Sequence, residues 1–284
     1  MLSIVINFIR KLAKTNANRL LTIFVSWVDY RQFAARLYDI RSELMAQGVE
    51  HEYLYKLEAD GICIVPDFWD DNKCAQARAE VDRIISQHQR SLHSVAKADQ
   101  RIYGANNVST LIDSFARHSS LERIASAYNQ EVTRSAFTLA ARMPVSSDNL
   151  GSGEGWHRDA FFRQFKAIIY LSDVGEENGP FQFIKDSYKP RQVCLDIWKA
   201  GLGYMQYRLS ESEVDKIIDG AADRLKTYPA KAGTLILVDT SSIHRGMPIR
   251  LGTRYALTNY YFPEQHIDAA LLEKFKVLTS ASNE

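Results

Sequence analysis

The feature that most constrains the fold is a succession of short β-rich runs that begins at Glu131. Each run is rich in valine, isoleucine, threonine or aromatic residues, which favour strands. Clusters of Ser, Asp, Asn, Gly and Pro, such as SSDNLGSG and EENGP, separate the runs and favour turns. We therefore expect a mainly β protein with flanking helices, whose core is a β-sandwich or a jelly roll. The predicted strands occupy residues 131–145, 165–174, 181–185, 233–240 and 253–262.

Helical periodicity is strongest in the N-terminal half of the chain. Apolar residues recur at three- and four-residue spacing over residues 29–47 and 70–90, which predicts two helices. Between them, GICIVP at 61–66 predicts a short strand that ends at the proline. A further helix is predicted over residues 210–226, where four apolar residues share one helical face. This last helix would be an excursion from the β-rich half.

The overall charge gives no sign of a nucleic-acid partner. The 284 residues include 35 basic and 34 acidic side chains, for a net charge of +1. Basic and aromatic residues are not interleaved as they are on nucleic-acid surfaces. The cysteines, Cys63, Cys74 and Cys194, are odd in number, far apart and without a Cys-x-x-Cys pair, which fits a reducing compartment and argues against a thiolate zinc site. We expect a cytoplasmic protein that does not bind nucleic acid.

The N-terminal segment over residues 1–28 is both apolar and basic. Four basic residues follow MLSIVINFI by position 19, and no acidic residue precedes Asp29. The segment does not match a secretory signal, and its apolar run is shorter than the about 20 residues that a membrane span needs. Its helical spacing predicts an amphipathic helix. Two roles stay open: peripheral contact with the anionic inner face of a membrane, or packing on the protein's own core or a partner subunit.

The stretch GEGWHRDAFF at 153–162 places His157 and Asp159 two residues apart. At strand spacing, alternate side chains share a face, so this imidazole and carboxylate can reach one point. His244 follows the predicted strand at 233–240, which a jelly roll brings next to the segment that carries His157. Two imidazoles and one carboxylate leave adjacent metal positions open, as in non-haem Fe(II) oxygenases, although zinc accepts the same ligands. We predict that these three residues form a metal site.

Arg254 is the predicted anion-binding residue of the same cavity. It opens the strand that follows the second histidine, so its guanidinium can point inward and bind a carboxylate bidentately. A chelating keto-diacid cosubstrate needs such a clamp, whereas Arg254 taken alone would fit an ordinary surface ion pair. Thr258 lies four residues further along the strand, on the same face. Tyr170 is a candidate to hydrogen-bond the cosubstrate. Arg101 and Tyr103, from an earlier strand, are candidate pocket residues, and Tyr103 is also a candidate to bind the cosubstrate.

Neighbouring residues are candidates for contact with a substrate. Lys166, Ile168 and Tyr170 alternate along FKAIIY, so one face of that strand should line the interior. Arg158 should point away from the two ligands on either side of it. The flanking candidates for substrate contact are Glu154, Arg158, Phe161, Phe162 and Arg163.

Four separated motifs occur in a fixed order along the chain: DGICIVPDFWD at 60–70, WHRDA at 156–160, YLSDVGEENGPFQFIKDS at 170–187 and HRGMPIRLGTRYALTNYYF at 244–262. Together they resemble the phytanoyl-CoA dioxygenase family of Fe(II)/2-oxoglutarate-dependent oxygenases, and an ordered set is far more specific than one His-x-Asp pair. The resemblance implies a double-stranded β-helix, the cupin-like jelly roll, over residues 55–265. Residues 1–54 then form an N-terminal helical extension and residues 266–284 a C-terminal helical tail.

The same resemblance implies a reaction. The Fe(II) ligands are His157, Asp159 and His244, and Arg254 binds the distal carboxylate of 2-oxoglutarate. The reaction would consume O2 and 2-oxoglutarate, release succinate and CO2, and hydroxylate an unactivated C–H bond. The carboxylate of Asp159 indicates hydroxylation, because related halogenases have a small residue there and leave that metal position to a halide.

The substrate and two other functions stay open at the level of sequence. We expect a small metabolite, a sugar-derived compound or a lipid-linked compound. KDSY at 185–188 stands where relatives often have Pro-Gly-Ser-His, so no relative's substrate can be transferred. One alternative is a zinc-dependent hydrolase on the same ligands, although no general-base glutamate stands at motif spacing. The other is a non-catalytic jelly-roll binding module, and the oligomeric state is not predicted.

Overall fold

The computed structural model describes residues 2–15, 18–34, 51–95, 99–146 and 150–277. Within these ranges the α-helices are α1 Leu2–Thr15, α2 Arg19–Ala34, α3 His51–Asp60, α4 Asp71–Gln87, α5 Thr110–Ala116, α6 Ser119–Asn129, α7 Pro190–Ala200, α8 Glu211–Ile218 and α9 Ala269–Lys274. The strands are β1 Ile62–Val65, β2 His93–Val95, β3 Asp99–Tyr103, β4 Thr133–Pro144, β5 Phe165–Tyr170, β6 Phe181–Ile184, β7 Leu225–Tyr228, β8 Leu235–Asp239, β9 His244–Gly246 and β10 Thr253–Pro263.

The strands form two antiparallel sheets, which confirms the predicted jelly-roll core with flanking helices. The large sheet has the order β1-β8-β5-β10-β4-β3-β2, and the small sheet has the order β7-β6-β9. The long strands β4 and β10 pair at the centre of the large sheet, where Arg254 lies opposite Met143. This register places the first residues of β10 beside the small sheet, so Arg254 lies close to β9, which carries His244.

The two faces of the large sheet have different environments because side chains alternate along each strand. On β5, Phe165, Ala167 and Ile169 belong to a core that they share with helices α3 to α6. Ile168 and Tyr170 contact the small sheet through Phe181 and Phe183, while Lys166 lines the space between the sheets. One face of the large sheet is therefore fixed by helix packing, and the opposite face is available for a site.

A second group of helices packs beside the small sheet. Tyr30 of α2, Ile197 of α7 and Ile217 of α8 share a buried cluster with Ile184 and Ile243. Helix α7 begins with a proline in its first turn, and α8 begins with a capping box, both of which are favourable helix starts. These helices therefore support β6, which ends at Ile184, and the turn before β9, which contains Ile243.

Two predicted helix boundaries were wrong. The helix predicted to begin at Asp29 starts earlier, because α2 runs through Asp29 and buries its carboxylate against the Arg10 guanidinium of α1 and the Tyr204 hydroxyl. The rest of that prediction, residues 35–47, lies outside the described residues. The helix predicted over 210–226 ends at Ile218, and Lys226 belongs to β7, where pairing with β6 outweighs the helical pattern.

The other predicted elements and boundaries can be located directly in the structure. The strand predicted at 61–66 is β1, and the helix predicted at 70–90 is α4, which begins after its N-cap Asp70. The predicted division between residues 54 and 55 falls inside α3. In the N-terminal segment, α1 contacts α2, and α2 packs on α7, where Arg19 Nη1 donates to the Trp198 carbonyl at 3.0 Å. Among the described residues, no helix combines the length and apolarity needed to cross a membrane.

Candidate metal centre

A direct backbone pairing brings His157 next to His244. The His157 amide donates to the His244 carbonyl at 3.0 Å, and the His244 amide donates to the His157 carbonyl at 2.8 Å. The backbone of His157 also pairs with Arg208 in an antiparallel β-bridge. The Asp159 amide donates to the Thr240 carbonyl at 2.8 Å. The His-x-Asp segment therefore extends the small sheet beyond β9, with the side chains of both its ligands on the cavity side.

The side chains of His157, Asp159 and His244 converge on one point. One ligand atom from each residue lies within 4.8 Å of the others. Asp159 Oδ1 is 3.9 Å from His157 Nε2, and Asp159 Oδ2 is 3.5 Å from His244 Nε2. The two Nδ1 atoms lie 2.9 Å from the carbonyls of Gly155 and Ser242, which can only accept. Each Nδ1 therefore carries the proton, and each Nε2 is left to ligate a metal.

The electrostatics of these residues suit metal ligation. Burial, reinforced by the neighbouring imidazole, lowers the pKa of His244 to about 3. Burial also lowers the pKa of His157. Burial would raise the pKa of Asp159, but attraction to Lys166 and to the two imidazoles outweighs it, and the net effect lowers that pKa. At neutral pH the site therefore offers two neutral imidazoles and one carboxylate, the protonation states that ligate a divalent metal.

Lys166 is the unexpected neighbour of this centre. Its Nζ lies 2.7 Å from Asp159 Oδ2 and 3.8 Å from the centre of the Tyr260 ring. Burial would lower the pKa of Lys166, but the attraction of Asp159 outweighs it and raises the pKa. The ammonium therefore stays charged and fixes the rotamer of Asp159, so that Oδ1 points toward His157.

Two of the glycines before His157 are required by close packing. Gly153 has φ +88°, and a Cβ atom there would lie 2.0 Å from His157 Cε1. Gly151 has φ +91°, and its Cβ would lie 2.0 Å from the Gly246 carbonyl oxygen. The backbone of this loop therefore lies directly on the imidazole and on β9. The glycine at position 153 follows from that contact, since any side chain there would move the His157 imidazole.

A buried carboxylate holds the chain that leads to His244. Asp239, at the end of β8, accepts from the Tyr128 hydroxyl at 2.6 Å and from the amides of Gln164 and Ser241 at 3.1 and 2.9 Å. The Ile243 amide donates to the Ser187 hydroxyl at 2.7 Å. These hydrogen bonds hold the turn between β8 and β9 in one favoured conformation.

The candidate metal centre opens into a cavity of about 240 Å³ between the two sheets. The large sheet contributes the inward faces of β3, β4, β5 and β10, and the small sheet contributes β6 and β9. Asp159 keeps 26% of its side chain exposed toward this space. Arg208 is 59% exposed and also lines the cavity, so it marks the side that is open to solvent.

Arg254 is a buried cation whose charge is not balanced by a nearby acid. Only 4% of the residue is exposed, which excludes a surface ion pair. Among the described residues, no carboxylate lies within ion-pair distance of Arg254, and Nη2 contacts the Met143 sulfur at 3.1 Å. Gly246 lets the guanidinium approach, since a Cβ there would lie 2.7 Å from Nη2. A buried charge without a partner is costly, so the arrangement indicates an anionic ligand.

The other predicted cosubstrate-binding residues lie on the cavity wall. Thr258, Tyr170 and Tyr103 all line it, together with the three ligands, Arg254 and the predicted pocket residue Arg101. The Tyr170 hydroxyl already accepts from the Phe181 amide at 2.9 Å and faces the Tyr228 carbonyl at 3.3 Å. Arg101 pairs with Asp99 and donates to the Ser152 hydroxyl at 3.3 Å.

The residues that flank the first two ligands do not line this cavity. Arg158 points away from it, as its position in the alternation predicts, and donates to the Ser187 carbonyl at 3.3 Å. Arg163 lies over the Tyr128 ring, and Phe162 stacks on Phe33 with ring centres 4.6 Å apart. Glu154 faces Arg208 at 3.2 Å. Substrate contact through these residues stays a prediction.

Sequence reasoning did not identify three residues of the site. Lys166 was expected to face inward, but its ion pair with Asp159 was not expected. Met143 contacts Arg254, and Arg208 lines the open side of the cavity. A signal for Lys166 was present, because a lysine on the inward face of an otherwise apolar strand needs an acid partner.

A jelly roll with this triad and a buried arginine defines a class of metal-dependent proteins. A model of the phytanoyl-CoA dioxygenase (PhyH) family matches residues 57–250. The chain belongs to this family. No curated protein matches the chain in sequence.

Solved structures of related shape support the fold. The carbocyclase SnoK from nogalamycin biosynthesis, described as non-haem and α-ketoglutarate-dependent, has a TM-score of 0.59 at 15% identity, covering 76% of this chain and 85% of its own. HygX from Streptomyces hygroscopicus, solved with nickel and 2-oxoglutarate, has a TM-score of 0.54 at 17% identity, with coverages of 76% and 88%. EctD from S. alaskensis has a TM-score of 0.58 at 14% identity, with coverages of 75% and 76%. At these identities the likeness shows a shared fold.

Replacing Gly153 with alanine tests the contact between the loop and the ligand. The new Cβ must displace the His157 imidazole, so we expect Gly153→Ala to weaken Mn(II) binding by about 10- to 100-fold in titration calorimetry. Gly220→Ala is the matched control, because its φ is +69°, nothing lies within 4 Å of its Cβ, and it does not line the cavity. The free energy of unfolding should fall by a similar amount in both variants, about 1–2 kcal/mol, because alanine is unfavourable in the left-handed backbone conformation. Equal loss of Mn(II) affinity in both would contradict the packing explanation.

Proposed function

We propose that this protein is a non-haem Fe(II)- and 2-oxoglutarate-dependent oxygenase that hydroxylates an unactivated C–H bond. Fe(II), 2-oxoglutarate and O2 are its proposed cofactor and cosubstrates, and succinate and CO2 are released. Membership of the phytanoyl-CoA dioxygenase family supports the class. HygX has been solved with 2-oxoglutarate and nickel, and SnoN with Fe3+ and α-ketoglutarate, which supports the same ligands here.

The observation that carries the proposal is the pairing of a metal-binding triad with a buried arginine in one small cavity. In the proposed roles, His157, Asp159 and His244 hold Fe(II), and Arg254 binds the distal carboxylate of 2-oxoglutarate. A bidentate guanidinium–carboxylate pair would neutralise the unbalanced charge of Arg254. The keto-acid end of the cosubstrate would then face the triad across the cavity.

The remaining lining residues have supporting roles in this proposal. Thr258 and Tyr103 would shape the wall along which the cosubstrate lies, and Tyr170 lines the same cavity as Arg254. Lys166 holds the Asp159 carboxylate in one orientation and keeps it ionised. Bound Fe(II) would supply activation of O2, while the protein supplies the geometry and excludes bulk water.

A small polar substrate agrees best with the cavity. Its volume is about 240 Å³, and its walls carry more basic than acidic side chains. HygX has been solved with hygromycin B, and SnoN with a nogalamycin compound, so related folds accept small molecules. We propose a small metabolite, sugar-derived compound or lipid-linked compound that enters on the side marked by Arg208. SnoK is a carbocyclase and SnoN an epimerase, so hydroxylation is the part of this proposal that needs product analysis.

Turnover of 2-oxoglutarate to succinate tests the function directly. We expect the Fe(II)-loaded protein to form succinate only in the presence of O2, and a substrate from a metabolite and glycolipid screen to gain one oxygen atom in its product mass. Asp159→Ala should abolish succinate formation, while Asp215→Ala, an exposed acid on α8, should leave it unchanged. Activity that persists with zinc under anaerobic conditions would instead favour the hydrolase. Full folding with no retained metal would favour a binding module.

A ligand pair isolates the role of Arg254. We expect the wild-type protein to bind 2-oxoglutarate about 100-fold more tightly than 2-oxovalerate, which has a methyl group in place of the distal carboxylate. Arg254→Met should remove most of this preference, since the carboxylate then has no partner. Arg208→Met should retain it, because Arg208 lies on the exposed side. Calorimetry with Mn(II) measures each affinity, and an unchanged preference in Arg254→Met would rule out the proposed clamp.

A further inference from the structure

A broad apolar groove lies between α2 and α7, away from the metal centre. Its volume is about 800 Å³. Leu20, Phe24 and Trp27 line it from α2, and Leu195 and Trp198 line it from α7. All five are exposed large apolar side chains. Singly exposed apolar residues need no explanation, but a contiguous set on two packed helices marks an interaction surface.

The tryptophans distinguish this groove from the rest of the surface. The chain has four tryptophans, and Trp69 and Trp156 are buried in cores. Trp27 and Trp198 are 47% and 53% exposed, and both lie in the groove. The Arg31 guanidinium lies 5.0 Å from the centre of the Trp27 ring. Indole rings next to cations are typical of proteins that lie at the boundary between lipid headgroups and acyl chains.

The exposed charged residues of α1, α2 and α7 have one sign. On α1, α2 and α7 the acidic residues of the described chain are Asp29 and Asp196, and both are buried. Asp29 pairs with Arg10, and Asp196 pairs with Arg224. The exposed charged residues of these three helices are therefore basic: Lys11, Lys14, Arg19, Arg31, Arg191 and Lys199.

We infer that this groove and its basic rim form a docking surface for an anionic lipid bilayer. The apolar side chains would enter the boundary between headgroups and acyl chains, while the cations would contact lipid phosphates. A protein partner would need its own acidic rim, whereas an anionic leaflet supplies that charge everywhere. The surface differs from the one expected from sequence, because α7 contributes half of the groove and residues 1–28 do not act alone.

Vesicle binding of the full-length protein tests this inference. We expect co-sedimentation with vesicles of phosphatidylcholine and phosphatidylglycerol, much weaker co-sedimentation with phosphatidylcholine alone, and loss of binding as salt screens the charges. Tryptophan emission should shift to shorter wavelength on binding. Since Trp69 and Trp156 are already buried, this shift would report Trp27 and Trp198.

Apolar substitutions provide the first matched comparison. Trp27→Ala combined with Trp198→Ala should lower the partition coefficient about tenfold or more, because the inserted surface is lost. Tyr55→Ala combined with Leu272→Ala is the control, since these exposed residues lie on α3 and α9 outside the groove. The control should bind vesicles as the wild type does. If the tryptophan variant does not fold, the emission shift of the wild type and the vesicle binding of the charge variants still test whether the groove docks on the bilayer.

Charge substitutions provide the second comparison. Arg31→Gln and Arg191→Gln should each lower binding to anionic vesicles by about fivefold. Equal binding to neutral and anionic vesicles, no binding to either, or an unchanged emission spectrum would overturn the inference. A lipid-free dimer that dissociates in the tryptophan variant would assign the groove to a second copy and would also overturn it. Succinate formation in solution is independent of all these outcomes.

Discussion

The antiparallel pairing of His157 with His244 is the interaction on which the candidate site depends. Two reciprocal backbone hydrogen bonds join residues 87 positions apart in the sequence and hold both imidazoles beside the same cavity. Each ring is then oriented by its own Nδ1 bond to a carbonyl two residues earlier. The positions of the two imidazoles are therefore set mainly by backbone contacts, whereas the Asp159 carboxylate is oriented by a side chain, Lys166.

Charge is the second constraint on the cavity. Lys166 and Asp159 neutralise each other at the triad, and Arg101 and Asp99 do so on β3. Arg254 has no such partner among the described residues, although it is buried as deeply. Burying a guanidinium this way destabilises the ligand-free protein, and binding an anion offsets that cost. The proposed carboxylate ligand would supply the partner that Arg254 lacks.

Sequence patterns predicted the strands because these follow local rules, and the expected jelly-roll topology then predicted the triad. Strand alternation placed His157 and Asp159 on one face, and the order of the strands brought His244 beside them. The ion pair of Lys166 and the collision that excludes a side chain at Gly153 depend on contacts across space, which no local pattern contains. The burial of Asp29 within α2 likewise depends on Arg10 of another helix, so a carboxylate that resembles a helix start lies in a helix interior.

The most direct test of the central claim is the absorption spectrum of the protein with Fe(II) and 2-oxoglutarate under anaerobic conditions. If the triad leaves two adjacent metal positions for the keto acid, a weak metal-to-ligand charge-transfer band should appear in the visible range. The band should need both Fe(II) and 2-oxoglutarate and should be lost in His244→Ala. Absence of the band at saturating 2-oxoglutarate, with Fe(II) demonstrably bound, would contradict the account.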